Sequence, residues 1–381
     1  MIPRVMTVYG TRPEAIKVAP LIKALDSSRL IESIVVVTGQ HREMLHQVNH
    51  VFGITPKYDL DIMSHGQSLS QVFARVIAGL DEILVAEQPD AVVVQGDTTT
   101  STAAALAAFH RQIPVIHLEA GLRSGSLTSP FPEEANRKLT TAIASLHLAP
   151  TTTSRDNLLN EHVSKDDVVI TGNTVIDALL QTVGQPVTLE DPALALLAST
   201  DAPMLLVTTH RRENQGEPMK AIGRALGRLA AAFPELTIVL PAHKNPKVRD
   251  AVLPSITGMS NVIISEPLAY AEFAHLTARA TVVLTDSGGV QEEAPSLGKP
   301  VLVMRENTER PEAVVAGTVK LIGTDEDRIV AEVTTLLTDP AAYAAMAQAT
   351  NPYGDGHAAE RSMAAIAQLL GVGSRIEEFN A

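Results

Sequence analysis

Short runs of Val, Ile and Leu recur along the whole chain, each followed by a longer stretch whose apolar residues keep a helical period. That alternation constrains the fold more than any other feature, because apolar runs buried on both faces with helices between them are the mark of parallel sheets covered by helices. The first half places strands at Arg4–Tyr9, Ser33–Thr38, Ala91–Gln95, Pro114–Leu118, Leu146–Ala149 and Val168–Thr171. Helices are expected over Pro13–Leu25, Arg42–Phe52, Ser68–Glu87, Thr98–Gln112 and Pro132–Ala144. The second half repeats the pattern, with strands at Met204–Thr208, Thr237–Leu240, Val262–Ser265, Val282–Thr285, Val301–Met304 and Val319–Ile322. At 381 residues the chain exceeds twice a typical domain of about 150 residues, so two α/β domains are expected. Gly, Gln, Pro, Thr, Glu and Asp interrupt the alternation over Gly184–Pro203, which sets the domains at 1–183 and 184–357. The final helical segment, Ala358–Leu370, has no strand after it and is free to pack back on the first domain.

Charge and composition then remove classes of function. Thirty basic against 43 acidic residues give a net charge of −13, which argues against a general polyanion surface, and no nucleic-acid partner is expected. Aromatic residues are 3% with no Trp, so base-stacking platforms are disfavoured as well. Without Cys there is no disulfide, thiolate or Cys-ligated metal chemistry. No apolar run approaches the roughly 18 residues of a membrane span, and the amino terminus lacks a signal-peptide pattern. The expectation is a soluble, cytoplasmic protein with no membrane partner.

Ligands of open α/β sheets bind beyond the carboxyl ends of the strands, and here those ends are polar. Ser287-Gly288-Gly289 follows a strand and opens a helix, so the backbone can approach an anion there. Glu292 or Glu293 can then accept from ribose hydroxyls, with Arg310 and Arg12 offsetting phosphate charge. A Walker A loop is excluded, since Gly298-Lys299 is followed by Pro300 and Glu293 stands where the loop needs its first glycine. Gly10 stands alone after the first strand, so no NAD, and no cofactor of any kind, is expected; nor is a metal motif evident. Asp97, Glu119 and Glu133 follow neighbouring first-domain strands and together suit general acid–base work. Each also has a structural alternative: Asp97 as a helix cap, Glu119 paired with Arg123, Glu133 in the first turn of its helix. His210 ends an apolar strand and is followed by two arginines, which suits a hydrogen-bond donor near an anion. His243 is open between a structural and a binding role.

Several runs together resemble the non-hydrolysing UDP-N-acetylglucosamine 2-epimerases. They are Gly10-Thr11-Arg12-Pro13-Glu14-Ala15-Ile16-Lys17, Gln95-Gly96-Asp97-Thr98, His117–Arg123, Pro132–Arg137, Thr171-Gly172-Asn173-Thr174, His210–Asn214, Thr285–Glu293 and Glu309-Arg310-Pro311-Glu312. The resemblance spans residues 4 to 370. It implies the GT-B architecture, two Rossmann-like domains with a cleft between them, a homodimer, and a UDP-sugar substrate with UDP held mainly by the second domain. Carried over by position, Arg12, Lys17, His210, Phe273, Ser287, Gly289, Glu293 and Arg310 match nucleotide-binding residues. Asp97, Glu119, Glu133 and His210 match catalytic ones. Some members hold a second UDP-N-acetylglucosamine as activator; Gln40, Arg42, Glu43 and His243 are the candidates for that regulatory site. Glu43 and Gly66 replace two of the residues expected to contact it.

The chemistry of such a substrate narrows the route. C2 of the sugar is not next to a carbonyl, and without a nicotinamide no transient ketone can acidify its proton. Elimination of UDP to 2-acetamidoglucal, followed by re-addition, is the remaining path to UDP-N-acetylmannosamine. The alternatives are a hydrolysing epimerase, a 2-epimerase of a UDP-diacetamido uronic acid, and a GT-B glycosyltransferase.

Overall fold

The alternation becomes two separate parallel sheets. The computed structural model describes residues 2–39, 42–64, 66–128, 130–198 and 200–380, leaving aside the side chains of 42–44 and 198. One compact unit holds the chain through Ala178 together with Tyr353 onward; the other holds Leu179–Pro352.

The first unit contains β1 (Arg4–Tyr9), β2 (Glu32–Val37), β3 (Tyr58–Asp59), β4 (Ala91–Gln95), β5 (Val115–Leu118), β6 (Leu146–Ala149) and β7 (Val168–Ile170), in the order β3-β2-β1-β4-β5-β6-β7. All pairs are parallel. Val5, Met6, Val8 and Tyr9 of β1 are fully buried, which explains the unbroken apolar run where alternation would mark a one-sided sheet. The helix Thr99–His110 buries Ala103, Ala104, Ala105, Ala107 and Ala108, small side chains that let neighbouring layers close on it. β3 is the strand the sequence did not announce: two residues paired with Val36 and Val37 are too few to carry a period.

The second unit contains β8 (Met204–Thr208), β9 (Thr237–Pro241), β10 (Val262–Ser265), β11 (Val282–Thr285), β12 (Val301–Val303) and β13 (Val319–Leu321), ordered β10-β9-β8-β11-β12-β13. Its pairs are parallel too, over a core that includes Leu205, Val207, Ile222, Leu226, Ile238 and Leu284. Two Rossmann-like α/β units in one chain are the components of the GT-B architecture. In each sheet the strand order reverses beside the unit's first strand, between β1 and β4 and between β8 and β11. Those two switch points fix where a ligand can enter each unit.

The last helix, Ala358–Leu369, packs on helix Arg12–Ser27 and on β6 of the first unit. Its first amides, Ala358 N–H at 3.2 Å and Ala359 N–H at 2.8 Å, donate to the buried Asp177 carboxylate. The chain joins that unit at Tyr353, earlier than the helix itself, because Tyr353 is buried and its carbonyl takes the Asn173 N–H at 2.7 Å. At the other joint the units divide inside helix Thr174–Val183, whose first turn carries Asp177. Among the described residues no helix is long and apolar enough to cross a membrane.

Candidate active site

At the first switch point the loops after β1 and β4 are clasped by one buried carboxylate. Gly10 is required there, since a Cβ would lie 2.2 Å from Thr38 Oγ1. Glu14 accepts from the Gly10 and Thr11 amides at 3.1 and 2.7 Å and from the Thr98 hydroxyl at 2.6 Å. Burial pushes its carboxyl up, and those bonds oppose the push. Arg12 begins the helix Arg12–Ser27 and is exposed. Thr98, not Asp97, caps the helix Thr99–His110, taking the Ser101 N–H at 3.0 Å. Asp97 is therefore released from capping and pairs with Arg137, while its carbonyl takes Asn136 Nδ2 at 2.8 Å. Burial pushes the Asp97 carboxyl above its usual range; Arg137 opposes this, Glu119 adds to it, Lys17 opposes it and Glu133 adds to it.

Glu119 stands at the end of β5 with φ of 63°, the left-handed region that a side chain of this size enters only at a cost of about 1–3 kcal/mol. Its buried carboxylate accepts from Lys17 Nζ at 2.5 and 2.7 Å, from Asn173 Nδ2 at 3.1 Å and from Gln95 Nε2. Arg123, the partner the sequence offered, instead pairs with Glu161 at 2.7 Å. Two residues earlier His117 is fully buried, and burial lowers its pKa to about 4, so the ring is neutral. Its Nε2 lies 2.8 Å from the Gly96 carbonyl, in the turn that leads to Asp97. Glu133 and Glu134 open the next helix with opposite fates. Glu134 is fully buried and accepts from the Ser124 amide at 3.0 Å and Arg137 Nε at 3.0 Å. Glu133 Oε2 is shut off from solvent and has no hydrogen-bond partner among the described residues. A buried acceptor left so costs about 1–3 kcal/mol unless a ligand or a proton satisfies it.

At the second switch point Asp286 organises the loop after β8. It is completely buried and accepts from Thr209 Oγ1 at 2.9 Å, the His210 amide at 2.9 Å, the Arg211 amide at 2.9 Å and Asn214 Nδ2 at 3.3 Å. Burial alone would raise its carboxyl; the His210 ring and the Arg211 amide outweigh that and hold it below its usual range. His210 Nδ1 sits 3.1 Å from Asp286 Oδ1, which places a proton on Nδ1. Of the two arginines that follow, Arg211 turns its Nε to the Asp286 carbonyl at 3.2 Å. His243 stacks on His210 with ring centroids 5.7 Å apart. Ser287 caps the following helix without using its side chain. A Cβ on Gly288 would lie 2.6 Å from Arg310 Nη1, so that guanidinium packs directly on the glycine. Arg310 Nε donates to buried Glu292 at 2.6 Å, which assigns Glu292 to holding the arginine. Gly289, Glu293 and Phe273 are half-buried in the same unit, on Gly288–Glu293 and Tyr270–Arg279. The buried Arg305 joins the two loops, reaching Glu213 at 2.7 Å and Glu309 at 2.8 and 3.1 Å.

A family model described as UDP-N-acetylglucosamine 2-epimerase matches residues 23–367. The UDP-N-acetylglucosamine 2-epimerase of Escherichia coli K12 is 53% identical over 368 residues, covering 95% of this chain and 98% of that one. The chain belongs to the UDP-N-acetylglucosamine 2-epimerase family. The crystal structure of the Neisseria meningitidis UDP-GlcNAc 2-epimerase, bound to UDP-GlcNAc, superposes with a TM-score of 0.85 at 47% identity, covering 97% of this chain and 100% of that one. The Methanocaldococcus jannaschii enzyme, in complex with UDP-GlcNAc and UDP, gives 0.76 at 32%, covering 97% and 100%.

Against this family background, the first unit gathers Asp97, Glu119, Glu133 and Lys17, and the second gathers His210, Ser287, Gly288, Gly289 and Arg310. Lys17, expected on the nucleotide, lies on the Glu119 carboxylate. Of the regulatory candidates, Gln40 and the side chains of Arg42 and Glu43 lie outside the described residues, and His243 lies beside His210. Sequence reasoning missed Gln95, Asn173, Asp286 and Arg305. The first two are neutral amides with no charge to advertise them, and the Asp286 partners lie far off in sequence, the Arg211 amide 75 residues away. Arg137, at the end of the Pro132–Arg137 run, is the cation on Asp97.

Proposed function

We propose that this chain interconverts UDP-N-acetylglucosamine and UDP-N-acetylmannosamine without hydrolysis, by eliminating UDP and adding it back to 2-acetamidoglucal. The observation that carries the reading is the carboxylate group of the first unit: Asp97 with its proton affinity raised, Glu119 held by Lys17, and Glu133 with an unpartnered buried oxygen. One carboxylate takes the C2 proton as the C1–oxygen bond breaks; its electron pair leaves on the β-phosphate of UDP. Arg310 and His210 offset the charge that develops there. Addition of UDP to C1 with proton return at C2 from the other face gives the epimer, and two proton-handling groups on opposite faces account for more than one carboxylate. The homologues bound to UDP-GlcNAc and UDP support the substrate class.

The test is incubation with UDP-N-acetylglucosamine in deuterated water, followed by NMR. Deuterium at C2 in both epimers with the diphosphate linkage intact is the expected result. Free N-acetylmannosamine with UDP would make the enzyme a hydrolase, and absence of exchange at C2 would overturn the elimination.

A further inference from the structure

We infer that Gln95 and Asn173 are positioning residues for Glu119, holding its carboxylate in a productive orientation without neutralising it; this rests on the epimerase reading above. Glu119 leaves β5 in a left-handed backbone conformation, so the strand does not fix where its carboxylate lies. Three elements do so instead. Gln95 is the last residue of β4, Asn173 follows β7, and Lys17 lies in helix Arg12–Ser27. Lys17 supplies the charge. The two amides, both about 97% buried, supply direction only.

The Asn173 amide is itself held. Its Oδ1 takes the Val175 N–H at 3.1 Å, and its backbone N–H is bound to the Tyr353 carbonyl at 2.7 Å. With Oδ1 so engaged, Nδ2 is the side that faces Glu119, so the amide has one orientation. A neutral amide neither gives up a proton nor cancels a charge. A second cation in its place would orient Glu119 equally well but would weaken it as a base. The pairing therefore leaves proton handling to the carboxylate and geometry to the amides. Misplacing a reacting group by about 1 Å costs on the order of 10²-fold in rate.

Asn173→Asp separates this role from a purely structural one. The variant keeps its shape and its bond from Val175, but turns an acceptor toward Glu119 where a donor was. We expect kcat at pH 8 to fall roughly 10- to 100-fold and to recover toward wild type as the pH falls, since a proton shared between the two carboxylates restores the bond. Among the described residues, Lys17, Asp97, Glu133, Arg137, His117 and Arg123 are titratable groups around Glu119 and its neighbours. They are the same in both proteins, so the difference between the two pH profiles belongs to the new pair. UDP affinity should change less than about twofold. Should Asn173→Asp fail to fold, Gln95→Glu reads the same acid recovery from β4. Unchanged kcat at pH 8, or a loss equal at every pH, would overturn the assignment. The rate is measured as disappearance of UDP-N-acetylglucosamine, so acid recovery is readable whatever the products. Deuterium incorporation by the wild-type enzyme reports separately on the epimerase reading.

Discussion

Asp97, Glu119 and Glu133 are chemically similar and environmentally distinct, and the proposed epimerisation, with acid–base work on two faces of a sugar, calls for such a difference. Asp97 is raised by burial, Glu119 receives a lysine and two amides, and Glu133 has an oxygen without a protein donor among the described residues. Replacing any one by its amide, Asp97→Asn, Glu119→Gln or Glu133→Gln, should lower kcat by roughly 10²–10⁴ while UDP still binds, as measured by turnover and calorimetry. Near-normal turnover in all three variants would remove the carboxylates from the chemistry. At this scale the sequence was informative about identity and silent about partners. Glu133 and Glu134 differ in it by one step of helical phase, yet one is sealed under Arg137 and the other keeps an unpartnered oxygen. The capping role open to Asp97 fell to the next residue, because Thr98 has the hydroxyl at the right place to take the Ser101 amide.

The elements that matter are loops, and each is set by what its strand end must accommodate. In the second unit the turn after β11 is shaped by Arg310: its guanidinium lies on Gly288 and is anchored by Glu292, while Glu309, the next residue back, is anchored by Arg305. Arg305 in turn reaches Glu213 in the loop after β8, so the His210 loop and the Arg310 loop form one hydrogen-bonded body. Gly288→Ala places a Cβ 2.6 Å from Arg310 Nη1, which forces the guanidinium off its seat. UDP affinity should fall by about tenfold or more, the loss of roughly one charge-assisted hydrogen bond, with little change in thermal stability. Calorimetric titration checks it; wild-type affinity would mean that Arg310 does not need this seat. The strands bounding these loops were legible from apolar periodicity, whereas the Arg305 bridge was not, since it joins Glu213 to Glu309 across 96 positions of sequence and neither end lies in an apolar pattern.

Across the whole chain, the amino-terminal unit is completed only when the polypeptide returns to it at Tyr353, and Asp177 is where that return is made fast. Its carboxylate is 2% exposed and takes the first amides of helix Ala358–Leu369. Burial nevertheless dominates and pushes its pKa up to about 6, with the Ala359 and Ala358 amides opposing the push. The sign follows from linkage. A carboxyl whose folded pKa lies above the unfolded value of about 3.9 binds a proton more readily in the fold, so its contribution is most favourable below pH 4 and declines as the pH rises to about 6. A rise from about 3.9 to about 6 corresponds to at most roughly 3 kcal/mol lost between those limits, and the decline is complete above pH 7. Asp177→Asn keeps an acceptor for Ala359 and cannot ionise. The stability difference between variant and wild type should therefore move by about 1–3 kcal/mol in favour of the variant between pH 4 and pH 7, read from denaturant unfolding at each pH. The charges around the pair, Asp355 and Arg361, are unchanged by the substitution, so the difference isolates this group. A difference independent of pH would mean that the amides of the returning helix compensate the buried charge in full.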